Sequence, residues 1–82
     1  MDNTLTYKDT IQRVGYTEIN GVKIVQYTCI IPVDKPQEMR IGLTKLDSEK
    51  YKTYRDECRS DYAKFEDAAY LLQEECIARL NG

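Results

Sequence analysis

The chain contains no histidine and no tryptophan. Without an imidazole it lacks the commonest general base, the commonest metal ligand and the usual sensor of pH near neutrality. Its three cysteines, Cys29, Cys58 and Cys76, are odd in number, widely spaced and include no CxxC pair. Neither a disulfide framework nor a zinc site is implied. All three fall on faces expected to be buried, where a free thiol behaves as a small hydrophobe. The four glycines, Gly15, Gly21, Gly42 and Gly82, are isolated from one another, so there is no loop to cradle a phosphate. No apolar run reaches the ~18 residues that cross a bilayer. The first ten residues, MDNTLTYKDT, do not follow the basic-then-apolar order of a signal peptide.

These absences lead to the expectation of a cytoplasmic protein with no membrane segment, no metal, no cofactor and no catalytic activity. Carboxylates do cluster at Asp56, Glu57 and Asp61, but that spacing is ordinary on a charged helix, and carboxylate catalysis of glycosides needs a cleft. With 82 residues and a net charge of −2, the chain is expected to form one domain, marginally stable alone. The negative balance disfavours broad binding to phosphate backbones.

What the sequence does contain is a long helical stripe. Tyr51, Tyr54, Cys58, Tyr62, Phe65, Ala69, Leu72, Cys76 and Leu80 recur at steps of three and four, the period of an α-helix buried along one face. A helix over about 48–80 is predicted, with Asp47 or Ser48 capping its first turn and Asn81-Gly82 suited to its C-terminus. At ~1.5 Å per residue it would run about 50 Å, so it must kink or project beyond its sheet. A second line, Ala63, Tyr70 and Ile77, lies about 120° from the first and is framed by Glu66, Asp67, Glu74 and Glu75. A helix apolar on more than one side is usually covered on more than one side. The partner-binding candidates are therefore Ala63, Glu66, Asp67, Tyr70, Glu74 and Ile77.

Upstream, Asn20-Gly21 between alternating residues is a strong hairpin signal, because both positions of a type I′ turn need positive φ. Strands are expected at about 10–19 and 22–31. A two-residue turn sets Ile19 opposite Val22, Glu18 opposite Lys23, Tyr16 opposite Val25, Val14 opposite Tyr27 and Gln12 opposite Cys29. This register puts Val14, Tyr16, Val25, Tyr27, Cys29 and Ile31 against the helix. It leaves Ile11, Ile19, Val22, Ile24 and Ile30 on the reverse face as a second candidate interface. Pro32 ends the second strand, and a loop through Pro36 leads to a third over 39–45, where Gly42 suggests a bulge. Leu46 is placed to pack back on the helix start, and Leu5 and Tyr7 alternate as if to extend the first strand.

The fold class that follows is α+β: a three-stranded antiparallel β-meander in the order β-β-β-α, packed against one long C-terminal helix. Its surplus apolar surface implies a non-catalytic protein-protein interaction domain, self-associating as a homo-oligomer, with a dimer the simplest case. Carboxylates around an apolar centre can take the place of phosphates in a basic groove. By analogy with the genre, that suits a phage or mobile-element inhibitor occluding a nucleic-acid-handling protein. The alternative is a small homodimeric regulator that binds nucleic acid itself through a β-ribbon presenting Lys8, Arg13, Thr17 and Gln26.

Overall fold

A computed structural model describes residues 2–81 of the chain. Three strands, β1 (Thr10–Ile19), β2 (Val22–Pro32) and β3 (Arg40–Lys45), form an antiparallel sheet in the order β1-β2-β3. They are followed by a short helix, α1 (Ser48–Thr53), and a long one, α2 (Arg55–Asn81). The predicted α+β meander is therefore the fold. Among the described residues no helix is long and apolar enough to cross a membrane.

The expected single helix is interrupted once, at Tyr54, whose φ of −110° and ψ of 33° depart from helical geometry. Tyr51 and Tyr54 pack against the core formed by Ile24, Val25, Tyr27 and Cys58. The break thus folds the first turn of the helical region back toward the sheet instead of letting it overshoot. Beyond it, the 27 residues of α2 span about 40 Å, close to the roughly 36 Å of the 11-residue strand β2. Matched lengths allow the stripe to stay in contact nearly to its end. Cys58, Ala69 and Cys76 are buried and Tyr62, Phe65 and Leu72 partly so, while Leu80 extends past the sheet into solvent. Asp47 caps α1, its carboxylate accepting from the Lys50 N–H at 3.0 Å. At the other end α2 runs through Asn81, and the Gly82 half of the expected cap lies outside the described residues.

The hairpin turn forms as predicted, with φ of 52° at Asn20 and 80° at Gly21. Ile19 faces Val22 and Glu18 faces Lys23, but Thr17 then pairs with Val25 and leaves Ile24 unpaired. One extra residue in β2 shifts every later pair. Gly15, not Val14, lies opposite Tyr27, and Arg13, not Gln12, lies opposite Cys29. Since side chains alternate along a strand, β1 is turned over relative to the expected register. Ile11, Arg13, Gly15 and Thr17 face the helix, and Val14 and Tyr16 face solvent. The bulge anticipated at Gly42 is absent, because β2 and β3 pair without interruption from Val25↔Lys45 to Ile30↔Arg40.

The bulge also corrects the second candidate interface. Ile24 is fully buried, as the extra residue of a bulge directs its side chain to the same side as Val25. Ile19 packs on the Ile24 core and Ile11 on the neighbouring cluster of Cys29, Ile31, Ala69 and Cys76. Only Val22 and Ile30 of the proposed set are exposed. The carbonyl of Ile24 accepts from both the Leu46 and Asp47 N–H groups, at 2.9 and 3.2 Å. The irregularity in β2 thereby anchors the corner from which α1 departs, while the Leu46 side chain stays exposed.

The remaining segments are brief. Residues 2–9 have no regular structure, and Leu5 and Tyr7 are exposed, so β1 is not extended as their alternation suggested. Between β2 and β3 a single 3-10 turn, Pro36–Glu38, buries Pro36. Gln73 of α2 donates to the Pro36 carbonyl at 2.8 Å, tying this connection to the helix.

Candidate functional site

Inside the molecule one polar cluster joins β1, β2 and α2. Thr17, 2% exposed, lies 2.6 Å through Oγ1 from the Tyr27 hydroxyl and donates to Asp61 Oδ2 at 2.8 Å. The Tyr27 hydroxyl donates in turn to the Cys58 carbonyl at 2.9 Å. Two hydroxyl protons serve three short contacts, so the phenolic proton is shared between Thr17 and the carbonyl. Around this cluster the Tyr27 ring meets Tyr62 and Phe65 at centroid separations of 5.7 Å each. No buried side-chain nitrogen or oxygen among the described residues is left without a partner. The cluster is complete within itself and is structural in character.

Burial also sets the chemistry of the thiols. Desolvation pushes the Cys29 and Cys58 thiols up from their ordinary value of 9.0, offset in part by Arg13 near Cys29 and by the Thr17 hydroxyl near Cys58. Desolvation likewise raises the Tyr27 phenol above 10.0, against the lowering effect of its bond to Thr17. A thiol held away from its thiolate is a poor nucleophile. The folded chain holds these protons more tightly than the unfolded chain, so the associated stability is full below about pH 9 and lost as pH climbs through the folded-state values. Urea midpoints measured from pH 7 to 11 are expected to fall from about pH 9 upward. A midpoint level to pH 11 would contradict the assignment.

The outward face of distal α2 carries two exposed large apolar residues, Tyr70 and Leu71. Of the six predicted partner-binding residues, Ala63, Asp67, Tyr70 and Glu74 are exposed, whereas Glu66 and Ile77 are half-buried. The difference follows from position around the helix. Ile77 lies one turn beyond Gln73, on the side that is bonded to the Pro36 connection. Tyr70 is 49% exposed, and beside it Leu71 is 62% exposed. Asp67 and Glu74 lie three and four residues from Tyr70, and Glu75 lies four from Leu71, so carboxylates border the pair on both sides. Leu71 also edges a concavity of about 200 Å³ lined by Arg13, Ala68, Leu72 and Glu75.

Leu71 was absent from the predicted site because it falls on neither apolar line of the helix. Its signal in the sequence is adjacency: Tyr70-Leu71-Leu72 places three apolar residues in a row, and one helix face cannot bury them all. The reverse face of the sheet is a weaker candidate. Its rows are Gln12–Ile30–Arg40, Val14–Thr28–Gly42 and Tyr16–Gln26–Thr44, with polar side chains between Val14, Tyr16 and Ile30. The residues suggested for a nucleic-acid-binding ribbon are not brought together there. Thr17 is buried and Arg13 lies on the helix side, leaving Gln26 alone of the strand residues.

Among the described residues no three His, Cys, Asp or Glu side chains converge as a metal site. Comparison with family models, with curated proteins and with solved structures finds no match.

Proposed function

We propose that the chain is a non-catalytic protein-interaction domain that docks through the outward face of distal α2. The observation that carries this reading is the exposure of Tyr70 and Leu71 side by side within a border of Asp67, Glu74 and Glu75. An aromatic residue with an aliphatic neighbour supplies the desolvated centre of an interface, and the carboxylates supply its rim. A partner that fits offers an apolar pocket edged with cations, the chemistry of a groove that otherwise holds phosphates. Occupying such a groove on a nucleic-acid-handling protein would inhibit it by exclusion, with no reaction of its own.

Both Tyr70 and Leu71 stand clear of the core clusters, so their loss should separate binding from folding. Tyr70→Ala with Leu71→Ala is expected to keep stability within about 0.5 kcal/mol of the parent. The same pair should weaken partner capture at least tenfold. Asp67→Asn with Glu74→Gln should chiefly slow association and flatten its dependence on salt. Capture compared among the parent and both variants, with heparin as competitor, measures these effects. Equal retention by all three proteins would sink the proposal. Absolute mass across a concentration series tells whether a second copy is the partner: a dimer that the Tyr70 and Leu71 changes dissociate makes the patch a self-association surface.

A further inference from the structure

At the opposite end of the helical layer, cations gather around one concavity. At the corner between β3 and α1, Lys45, Ser48, Tyr51, Lys52 and Arg55 line a concavity of about 420 Å³. Three of these side chains are cations and none is a carboxylate. Ser48, Tyr51, Lys52 and Arg55 follow the spacing that puts residues on one helix face, and they remain together across the break at Tyr54.

Lys45 reaches the same concavity from the sheet, as the last residue of β3. Its ammonium sits 4.4 Å from the centroid of the Tyr51 ring, and Tyr51 is itself packed against the Ile24, Val25, Tyr27 and Cys58 core. A cation held against an anchored ring loses less freedom when a ligand arrives. The adjacent carboxylate of Asp47 is directed to the Lys50 N–H as the helix cap and is not part of the lining. Three like charges around one space, in a chain of net charge −2, favour an anion carrying several charges over a single carboxylate.

We infer that this corner is a binding site for a small polyphosphate, the di- or triphosphate group of a soluble ligand. Lys45, Lys52 and Arg55 neutralise its charge, with the guanidinium of Arg55 able to meet two phosphate oxygens at once, and the Ser48 hydroxyl is a further donor. One face of the Tyr51 ring is already covered by Lys45, so recognition is of the phosphates and does not discriminate between bases.

The test is a titration of the full chain, followed by amide nuclear magnetic resonance, with tripolyphosphate, ATP and CTP at matched ionic strength. Saturable shifts are expected at residues 45–55, with dissociation constants below about 1 mM. ATP and CTP should agree within about twofold. Lys52→Ala with Arg55→Ala, both exposed in the parent, should retain the folded spectrum and bind at least tenfold more weakly. Shifts that track ionic strength alone, or that persist unchanged in the double variant, would overturn the site. A single-stranded oligonucleotide that binds this corner more tightly than tripolyphosphate would overturn its assignment to a small ligand. The corner is remote in sequence from Tyr70 and Leu71, so its failure leaves the proposed docking face untouched, and the converse holds.

Discussion

Replacing Thr17 by Val is expected to lower the unfolding free energy by about 2 kcal/mol, although the new side chain has nearly the same shape and suits a strand at least as well. Among the described residues the hydroxyl links the Tyr27 phenol to Asp61. Its loss leaves Tyr27 with the Cys58 carbonyl as its one partner and leaves Asp61 Oδ2, half-buried at the edge of the same cluster, without the Thr17 donor. Tyr27→Phe should cost less, about 1 kcal/mol, since it removes two contacts but leaves Thr17 its bond to Asp61. The double variant should lose less than the sum of the two, because both changes delete the same Thr17–Tyr27 bond. For a domain of this size 2 kcal/mol corresponds to roughly 10 °C or more in melting temperature. Urea denaturation of the four proteins measures the cycle, and strict additivity would mean the 2.6 Å contact contributes nothing.

The same residue shows where sequence reasoning succeeds and where it fails. The elements themselves were legible: the turn from Asn20-Gly21, the cap from Asp47, and the buried stripe from Tyr51 to Cys76. Each rests on local chemistry, a positive φ, a free N–H or a period of 3.6 residues. The facing of β1 was not legible by counting apolar residues. Its even positions hold Val14 and Tyr16 and its odd positions hold Ile11 and Ile19, two large apolar residues each, so hydrophobicity does not choose between the faces. What the helix requires from β1 is a hydroxyl for Tyr27 and room for Phe65, and neither requirement is visible within β1 alone. The doublet Ile24-Val25, which breaks the alternation of β2, is the one local sign of the bulge that satisfies both.

The candidate surfaces follow the same division. Tyr70 could be found from its place off the main stripe, since exposure there depends on helix geometry alone. Ile77 shares that line but is half-buried, because Gln73 draws the Pro36 connection against that flank. A contact between residues 37 positions apart has no local signature. The break at Tyr54 likewise could be anticipated as a need, from the excess length of the helix, but its position, beside the packing of Tyr51 and Tyr54 on the Ile24, Val25, Tyr27 and Cys58 core, has no local signature.

Gly15→Val distinguishes the bulged register from the regular one by the sign of its effect. In the regular register Gly15 would lie on the open face, where a β-branched residue in place of glycine stabilises a strand by about 0.5–1 kcal/mol. In the structure it lies opposite Tyr27 and beneath α2. A Cβ built there meets Phe65 Cδ2 at 3.1 Å and Cε2 at 3.3 Å. Phe65 cannot easily give way, because it packs against both core clusters and against the Tyr27 ring. Valine adds two methyl groups to that approach, so a loss of about 2–3 kcal/mol is expected. Adding Phe65→Leu to Gly15→Val should recover part of the loss, as the smaller side chain vacates the contact, whereas Phe65→Leu alone is destabilising. Val14→Thr, one residue away on the solvent side, should be tolerated within about 0.5 kcal/mol. Stabilisation by Gly15→Val together with severe loss from Val14→Thr would require β1 to be turned over. That outcome would remove Thr17 from the Tyr27 cluster and return Ile11, Ile19 and Ile24 to the outer face of the sheet.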